Sequence, residues 1–408
     1  MNGLSRLVAR LRETALWRLA LLGAIPLVVV LVCLRFGMIM WNMAPAFAQR
    51  DAAAFYVAAR AYLAGLNPYG EMFWELTQAL YGYPLGAFFN PPHALPLLAP
   101  LGLLSPQMAG LTLMVVAVLA TGGALMLALS MVRSRGFVVP RPLAVAAALA
   151  FGLVVFQPLV PTVVYGHIKP VVLLALITWA FAARAGWWPL QAVAVVVASA
   201  MPQFALPVLV VSAMVPAWRL GAVVGLGLCG VLYGAAAVPY GIFSFGFDWL
   251  AAAGAYTGDR ENAPGVLVGA APLLDLAGVG LSAPITLLVV VGGGLFIWRS
   301  GTHDPLIVAL CAAAVGILAA PTHLSSSLML FPALAYVLTA GPVLPRVALA
   351  VSLTVLGLTD WFVDLGDLFE SRGSGIYQLR ALGCTAMVVV AFGALMGLQQ
   401  RESATRSI

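Results

Sequence analysis

Charged residues are scarce in this sequence, and lysine is almost absent. Only 8 % of the 408 residues are charged, 63 % are hydrophobic, and Lys169 is the single lysine. A soluble globular domain of this composition would have too little polar surface to face water. The net charge of +6 comes from scattered arginines that form no basic face. We therefore expect no nucleic-acid partner.

The sequence also lacks patterned metal ligands. Cys33, Cys229, Cys311 and Cys384 each stand alone in an apolar run, which favours small packed hydrophobes over a disulfide or a metal site. There is no Asp-x-Asp pair and no cluster of histidines and acids at ligand spacing. We predict no metal and no cofactor.

Long apolar runs, by contrast, recur from end to end. Runs of about 18 residues or more are typical of membrane helices, and these do not alternate as the strands of a barrel do. We predict an all-α, polytopic helical membrane protein with about 12 transmembrane helices. Several spans are short, as for tilted or broken helices or helices buried away from lipid. The spans are 17–40, 107–131, 143–163, 171–184, 189–202, 203–218, 220–240, 281–299, 305–320, 324–340, 344–360 and 377–399.

The arginines orient the chain. With the N-terminus inside, thirteen basic residues lie in inner segments and six in outer ones, as the positive-inside rule expects. Ala46-Phe47-Ala48 resembles a signal cleavage site, but the preceding run exceeds the roughly 7–15 residues of a signal core, so we expect an anchor. We predict a multi-pass protein of the inner (cytoplasmic) membrane with a cytoplasmic N-terminus and an active site facing the periplasm or outside.

The outer loops are unequal, and eleven of the fourteen acids lie outside. Residues 41–106, 241–280 and 361–376 form the large outer loops, which favours a site at the membrane–water interface over the mid-membrane site of a transporter. The acidic segment 360–370 fits either a surface helix or part of an acceptor groove. The loop 241–280 carries charged residues that the sequence does not rank.

In the first outer loop, Asp51 can cap a helix that Gly65 ends in a left-handed turn. An apolar and aromatic stripe at Phe55, Ala58, Ala59 and Tyr62 predicts that this helix lies on the membrane surface. The proline-rich run "FFNPPHALPLLAPLGLLSP" then predicts a short membrane-embedded helix that leads into span 107–131.

These motifs, in this order, resemble glycosyltransferase family 87. They are an acid with an aromatic pair, "AARAYLAG", "NPY", a proline pair and "PLGLLSP", then "YGHIKPVVLLALITWAFAARAGWWPLQAVAVVVASAMPQFALPVLVV" and "APTHLSSSLMLFPAL". The likeness covers roughly residues 17–340. It implies a GT-C enzyme that transfers mannose from a polyprenyl-phosphate sugar outside the membrane.

The sequence departs from the family at three positions. The family's Gln and Asn fall on His167 and Lys169, and its later Lys falls on Met201. Contacts to the donor phosphate are therefore expected to differ. We treat residues 1–408 as one integral membrane domain, with a GT-C-like catalytic module at 17–240 and a variable C-terminal helical module at 241–408.

The residues that match the family suggest roles. A carboxylate suits deprotonation of an acceptor hydroxyl, so Asp51 is the predicted general base of an inverting transfer, unless it serves only as a helix cap. Cations and imidazoles suit the leaving phosphate. The predicted donor phosphate-binding residues are Lys169, His167, His323 and Arg60, and the predicted substrate pocket holds Tyr56, Asn67, Tyr69, His93 and Gln203.

Some of these residues, and others in the chain, also have purely structural interpretations. Lys169 fits a solvated loop residue, His323 an interfacial histidine, and Arg60 an ion pair with Glu71 or Glu75. Asp304-Pro305 fits a helix start, and the glycine run 292–294 fits close helix packing.

The sequence thus predicts a membrane glycosyltransferase. It would move a hexose, with mannose the expected sugar, from a polyprenyl-phosphate donor to a glycolipid, polysaccharide or lipid-linked glycan acceptor, in contact with membrane lipids. Two alternatives stay open: a lipid or solute transporter, and a non-catalytic membrane partner of a glycan assembly complex.

Overall fold

The computed structural model describes residues 51–82, 88–131, 159–258, 267–268, 283–301, 304–319, 322–334, 348 and 383–397. Short helices occupy the described part of the first outer loop. Helix α1 spans Asp51–Leu63, α2 spans Glu71–Tyr81, and α3, Leu95–Leu98, lies between the 3-10 helices Pro92–Ala94 and Ala99–Leu103.

The other described helices are α4 Pro106–Met131, α5 Leu159–Val164, α6 Lys169–Ala185, α7 Trp188–Ala198, α8 Pro202–Met214, α9 Pro216–Ala237, α10 Ile242–Gly258, α11 Ala283–Arg299, α12 Pro305–Ala319, the 3-10 helix Leu324–Leu330, and α13 Gly383–Gly397. One two-residue antiparallel pair, β1 Leu267–Val268 and β2 Thr322–His323, is the sheet structure found in these ranges. The described part of the protein is therefore helical, as predicted.

Two of the described helices, α4 and α9, are long and apolar enough to cross a membrane. Helix α4 turns small side chains such as Ala117 and Ala124 toward the protein and large ones such as Val115 and Leu119 outward. Small residues at helix contacts and large apolar residues outside are typical of helices in lipid. The pattern supports the membrane prediction for α4.

The centre of the fold is α12. Nearly all of its side chains are buried, because α6, α8, α11 and the 3-10 helix Leu324–Leu330 surround it. A helix that is apolar on every side, as this one is, belongs in an interior. Asp304 accepts a hydrogen bond from the Leu306 amide at 2.8 Å, and the helix begins at Pro305, which confirms the predicted helix start.

Polar contacts gather at two opposite ends of the bundle. At one end, Asn90 Nδ2 donates to the Ala200 carbonyl at 2.8 Å, and Tyr240 OH donates to the Leu66 carbonyl at 2.9 Å. At the other, Arg184 donates to the Met131 carbonyl and pairs with Asp304, at 2.6 and 2.7 Å. Residues that are predicted to lie on the outer side contact one another, and so do residues that are predicted to lie on the inner side. We name the two ends the outer and inner ends after the predicted orientation.

The structure corrects the environment of α1. Phe55, Ala58 and Ala59 are buried, but against α3, α4 and the 3-10 helix Ala99–Leu103 rather than against a membrane surface. Tyr62 is partly buried on the same core. The predicted end of the helix is confirmed: Gly65 has φ +70°, and the Leu66 amide donates to the Ala61 carbonyl at 2.8 Å.

Several predicted spans have different bounds. The spans 189–202 and 203–218 correspond to α7 and α8, which have 11 and 13 residues. At about 1.5 Å per residue, each is shorter than a hydrocarbon core of about 30 Å. The predicted span 324–340 begins as a 3-10 helix. The spans 17–40 and 344–360 and most of 143–163 lie outside the described residues, apart from Ala348 and α5.

Predicted packing roles are confirmed where the structure describes them. A Cβ on Gly293 would lie 2.5 Å from Val315 Cγ1, and one on Gly294 would lie 2.8 Å from Val210 Cβ, so these glycines allow close helix contact. Cys229, Cys311 and Cys384 are buried with unbridged thiols. Cys33 lies outside the described residues.

Candidate active site

The turn between α5 and α6 places a histidine beside the start of α1. Gly166, at φ +66°, ends α5: its amide donates to the Val163 carbonyl at 3.1 Å, and the His167 amide donates to the Thr162 carbonyl at 3.0 Å. This paired pattern is the Schellman motif, which needs a left-handed residue such as glycine. The chain therefore leaves α5 with His167 directed at α1.

Helix α1 meets this turn through its backbone. The Ala52 amide donates to the Tyr165 carbonyl at 2.9 Å. Amides in a first helical turn have no carbonyl partner within their own helix. This bond therefore satisfies an N–H group that the helix itself cannot satisfy. It also sets the start of α1, and with it Asp51, against the turn.

Asp51 and His167 are in direct contact. His167 Nε2 lies 2.6 Å from Asp51 Oδ2, and the two side chains are 14 % and 41 % exposed respectively. Asp51 lies in the first turn of α1, where the helix dipole favours a carboxylate. The sequence predicted a site role for each residue but not this bond.

Lys169 completes the group, because its charge acts on both residues. It begins α6 and is only 6 % exposed, so the alternative interpretation as a solvated loop residue is wrong. Burial lowers the pKa of Lys169 to about 8, although the charge of Asp51 opposes this effect. Burial lowers the pKa of His167 as well; Asp51 opposes this shift and Lys169 adds to it. We call Asp51, His167 and Lys169 the polar triad.

His323 belongs to a segment that approaches the triad. Its backbone pairs with Leu267 in the two-residue sheet, and the 3-10 helix Leu324–Leu330 that follows packs against α5 and α6, the helices on either side of the turn. The fold thus brings this predicted segment to the same end of the bundle.

Arg60 stands apart from the triad. It follows Asp51 by nine residues on α1, about 13 Å along the helix axis at 1.5 Å per residue. Its Nη1 donates to the Gly102 carbonyl at 3.3 Å. The described contact therefore ties α1 to the proline-rich segment, and within the described residues Arg60 is not brought to His167 or Lys169.

Asn67 and Tyr69 hold outer loops together. Asn67 Nδ2 donates to Asp248 Oδ2 at 2.7 Å, and Asn67 Oδ1 accepts from the Tyr69 amide at 3.0 Å. Tyr69 OH donates to the Asn90 carbonyl at 2.6 Å, and burial raises the pKa of this phenol. Both residues were predicted in a substrate pocket, and both make structural contacts.

The remaining predicted pocket residues lie in separate places. Tyr56 is buried on α1, and Gln203 is partly buried at the start of α8, next to the buried Met201. His93 is buried beside the end of α7; burial lowers the pKa of its imidazole, and a hydrogen bond to the Ser199 backbone opposes this. The described contacts do not join these three to one another.

Some contacts of the outer loops, and the turn beside the triad, were not predicted from the sequence. Trp249 Nε1 donates to the Phe89 carbonyl at 2.9 Å, so that Trp249 and Asp248 both fasten α10 over the first outer loop. Gly166 makes the turn between α5 and α6, and the sequence analysis assigned it no role. Its signal was available: a glycine between two predicted helices, before a histidine, is typical of a helix stop.

The described residues form a helical bundle with the polar triad at one end, and two of its helices are long and apolar enough to cross a membrane. The sequence profile of glycosyltransferase family 87 matches residues 88–321, more than half of the chain. The chain therefore belongs to glycosyltransferase family 87. The match contains His167 and Lys169, while Asp51 precedes it. No curated protein matches the chain. Neither does any solved structure.

Proposed function

We propose that the protein transfers a hexose, with mannose the expected sugar, from a polyprenyl-phosphate donor to a lipid-linked or polysaccharide acceptor at the extracytoplasmic face of the membrane. The observation that carries the proposal is the polar triad. A carboxylate that is two-fifths exposed lies at a helix start, in contact with His167 and under the charge of a buried lysine. This arrangement offers a base and a cation within one small region.

The proposed reaction is a single displacement. The acceptor hydroxyl oxygen attacks the anomeric carbon, and its proton passes to the Asp51 carboxylate. The bond between the anomeric carbon and the phosphate oxygen breaks, and the phosphate leaves with the electron pair. Attack opposite the leaving group inverts the anomeric configuration.

Lys169 is the proposed partner of the donor phosphate. With a pKa of about 8, the amine carries a proton at neutral pH. A cation held in a buried position stabilises the charge that develops on a leaving phosphate more strongly than it would in bulk water. The donor's prenyl chain would lie in the membrane beside the bundle, with its phosphate at the outer end.

The distribution of charge in the long helices favours glycosyl transfer over transport. A transporter places ionisable groups near the middle of the membrane. Helix α4 contains no Asp, Glu, Lys or Arg, and the one such residue of α9, Arg219, lies in its first turn. Among the described residues the triad instead lies at a helix end.

The test is glycosyl transfer by the purified protein in lipid nanodiscs, with labelled polyprenyl-phosphate mannose and a membrane-lipid extract as acceptor. Asp51→Asn keeps the size of the side chain and removes its basicity, so we expect a loss of about 10²–10⁴-fold in kcat. Glu71→Gln is the matched control, because Glu71 is an exposed carboxylate in the first turn of α2. Its activity should match wild type.

Two results would contradict the proposal. Equal activity of Asp51→Asn and wild type would remove Asp51 from the chemistry. No transfer by wild type would argue against this donor, and a flux assay in liposomes would then test transport.

A further inference from the structure

His167 makes a contact that its predicted role does not require. A histidine that binds the donor phosphate would offer a ring nitrogen to it, yet Nε2 lies 2.6 Å from Asp51 Oδ2. The Gly166 turn and the bond from the Ala52 amide to the Tyr165 carbonyl together fix the backbone on both sides of this contact. The pair is thus built by the fold.

We propose that His167 is a positioning residue, which holds the Asp51 carboxylate in the orientation that takes the proton from the acceptor. This inference rests on the proposed function and deepens it. It reassigns His167 from the donor phosphate to the base, and it leaves Lys169 as the phosphate partner in the triad.

The two side chains of the pair differ in exposure. His167 is 14 % exposed and Asp51 is 41 % exposed, so the imidazole forms the buried side and the carboxylate the open side. An imidazole that donates from Nε2 to Oδ2 restricts rotation of the carboxylate about its last bond. An incoming hydroxyl therefore meets the carboxylate in one orientation. Such prior orientation lowers the barrier, because misplacement of a reacting group by about 1 Å can cost 100-fold in rate.

Two charged residues of the described part of the chain act on His167. Asp51 reaches it from α1, and Lys169 from the start of α6. Helix α4 packs on the turn through Leu113 and carries no charged residue. The 3-10 helix Leu324–Leu330, which packs on α5 and α6, has none either. Because His167 Nε2 and Asp51 Oδ2 are 2.6 Å apart, protonation of one residue should affect the other.

The experiment compares His167→Gln and His167→Ala with wild type in the nanodisc transfer assay, with kcat measured against pH. Glutamine retains an N–H donor of similar reach and has no titrating group, whereas alanine has no donor. We expect kcat to fall about 100-fold in His167→Ala, with little change in the donor KM, and to recover most of its value in His167→Gln.

The pH profile separates positioning from a general effect on structure. Protonation of His167 in wild type weakens Asp51 as a base. A plot of log kcat against pH should therefore reach a slope of two at low pH, because two protons bind. In His167→Gln the slope should be one. Thermal unfolding of each variant checks that its fold is retained.

Each other outcome overturns the inference. His167→Gln as inactive as His167→Ala, with the fold intact, would mean that the ring itself moves a proton. A raised donor KM at unchanged kcat in His167→Ala would show that His167 binds the donor phosphate. Wild-type activity in His167→Ala would remove it from the site while the proposed function stands. If wild type transfers no sugar, the proposed function itself fails.

Discussion

Gly166 and Ala52 meet with no space for an additional carbon. A Cβ on Gly166 would lie 2.8 Å from the Ala52 Cβ and 3.1 Å from the Leu113 Cβ. Both atoms are β-carbons, which are bonded directly to the backbone, so neither can move unless its backbone moves. The close approach of this turn to α1 is what allows His167 to reach Asp51, the residue before Ala52.

Replacing Gly166 by alanine should therefore damage both stability and activity. The left-handed conformation costs about 1–2 kcal/mol for a residue with a Cβ. Overpacking against Ala52 and Leu113 adds about 1–3 kcal/mol. We expect a lower melting temperature and a loss of transfer activity, measured in nanodiscs.

Gly186→Ala is the matched control. Gly186 has φ +68° and no atom within 4 Å of an added Cβ, so it shares the conformational cost without the contact. It ends α6 at the inner end, away from the triad. Equal effects of the two substitutions would show that the close approach of Gly166 to α1 has no role.

The lowered pKa of Lys169 leads us to predict opposite pH trends for donor binding and for stability. Loss of its proton as the pH rises through about 8 removes the cation proposed to bind the phosphate, so the donor KM should rise. The unfolded chain keeps that proton up to its ordinary pKa of 10.5, because burial lowers the pKa only in the folded state. Between these two pH values the Lys169 contribution to the unfolding free energy should therefore increase with pH.

Lys169→Met tests both trends, because it removes the charge and retains most of the length. The variant should bind the donor weakly at every pH and lose the Lys169 part of the stability change above pH 8. Donor KM values and melting temperatures across this range provide the measurement. A donor KM in the variant equal to that of wild type would exclude Lys169 as the phosphate partner.

The bond between Asn67 and Asp248 should couple the two outer loops. A hydrogen bond from an amide to a carboxylate in a partly buried position is expected to contribute about 1–2 kcal/mol. Because Asn67 also accepts a hydrogen bond from the Tyr69 amide, a single Asn67 substitution overstates the energy of the bond between Asn67 and Asp248. A cycle of Asn67→Ala, Asp248→Ala and the double variant, followed by thermal unfolding, isolates the coupling. Additive effects would show that the pair contributes nothing.

The glycine run of α11 offers a comparison within one helix. Gly293→Ala would press a methyl group against Val315 and should lower stability by about 1–3 kcal/mol. An added Cβ on the adjacent Gly292 meets nothing within 4 Å, so Gly292→Ala should be neutral or stabilising by about 1 kcal/mol through helix propensity. A thermal-unfolding series that ranked the two substitutions the other way would contradict this packing.

The helical prediction succeeded where a local pattern decides the structure. The apolar run of 107–131 predicted α4 to within a residue at its start, and Gly65 and Asp304 marked helix ends through their own backbone or side-chain preferences. The predictions were wrong where packing decides. The stripe of α1 is the same whether lipid or protein covers it, and only the fold reveals that α3 and α4 do so.

The sequence by itself determined the helical class of this protein, because the apolar composition and its run lengths depend on no contact between distant residues. It also singled out Asp51, His167 and Lys169 one at a time, through the family that they resemble. Only the tertiary structure decided that these residues meet, that Arg60 contacts the Gly102 carbonyl, and that Lys169 is buried. Their proximity depends on a left-handed glycine and a backbone hydrogen bond between segments more than a hundred residues apart, which no local preference specifies.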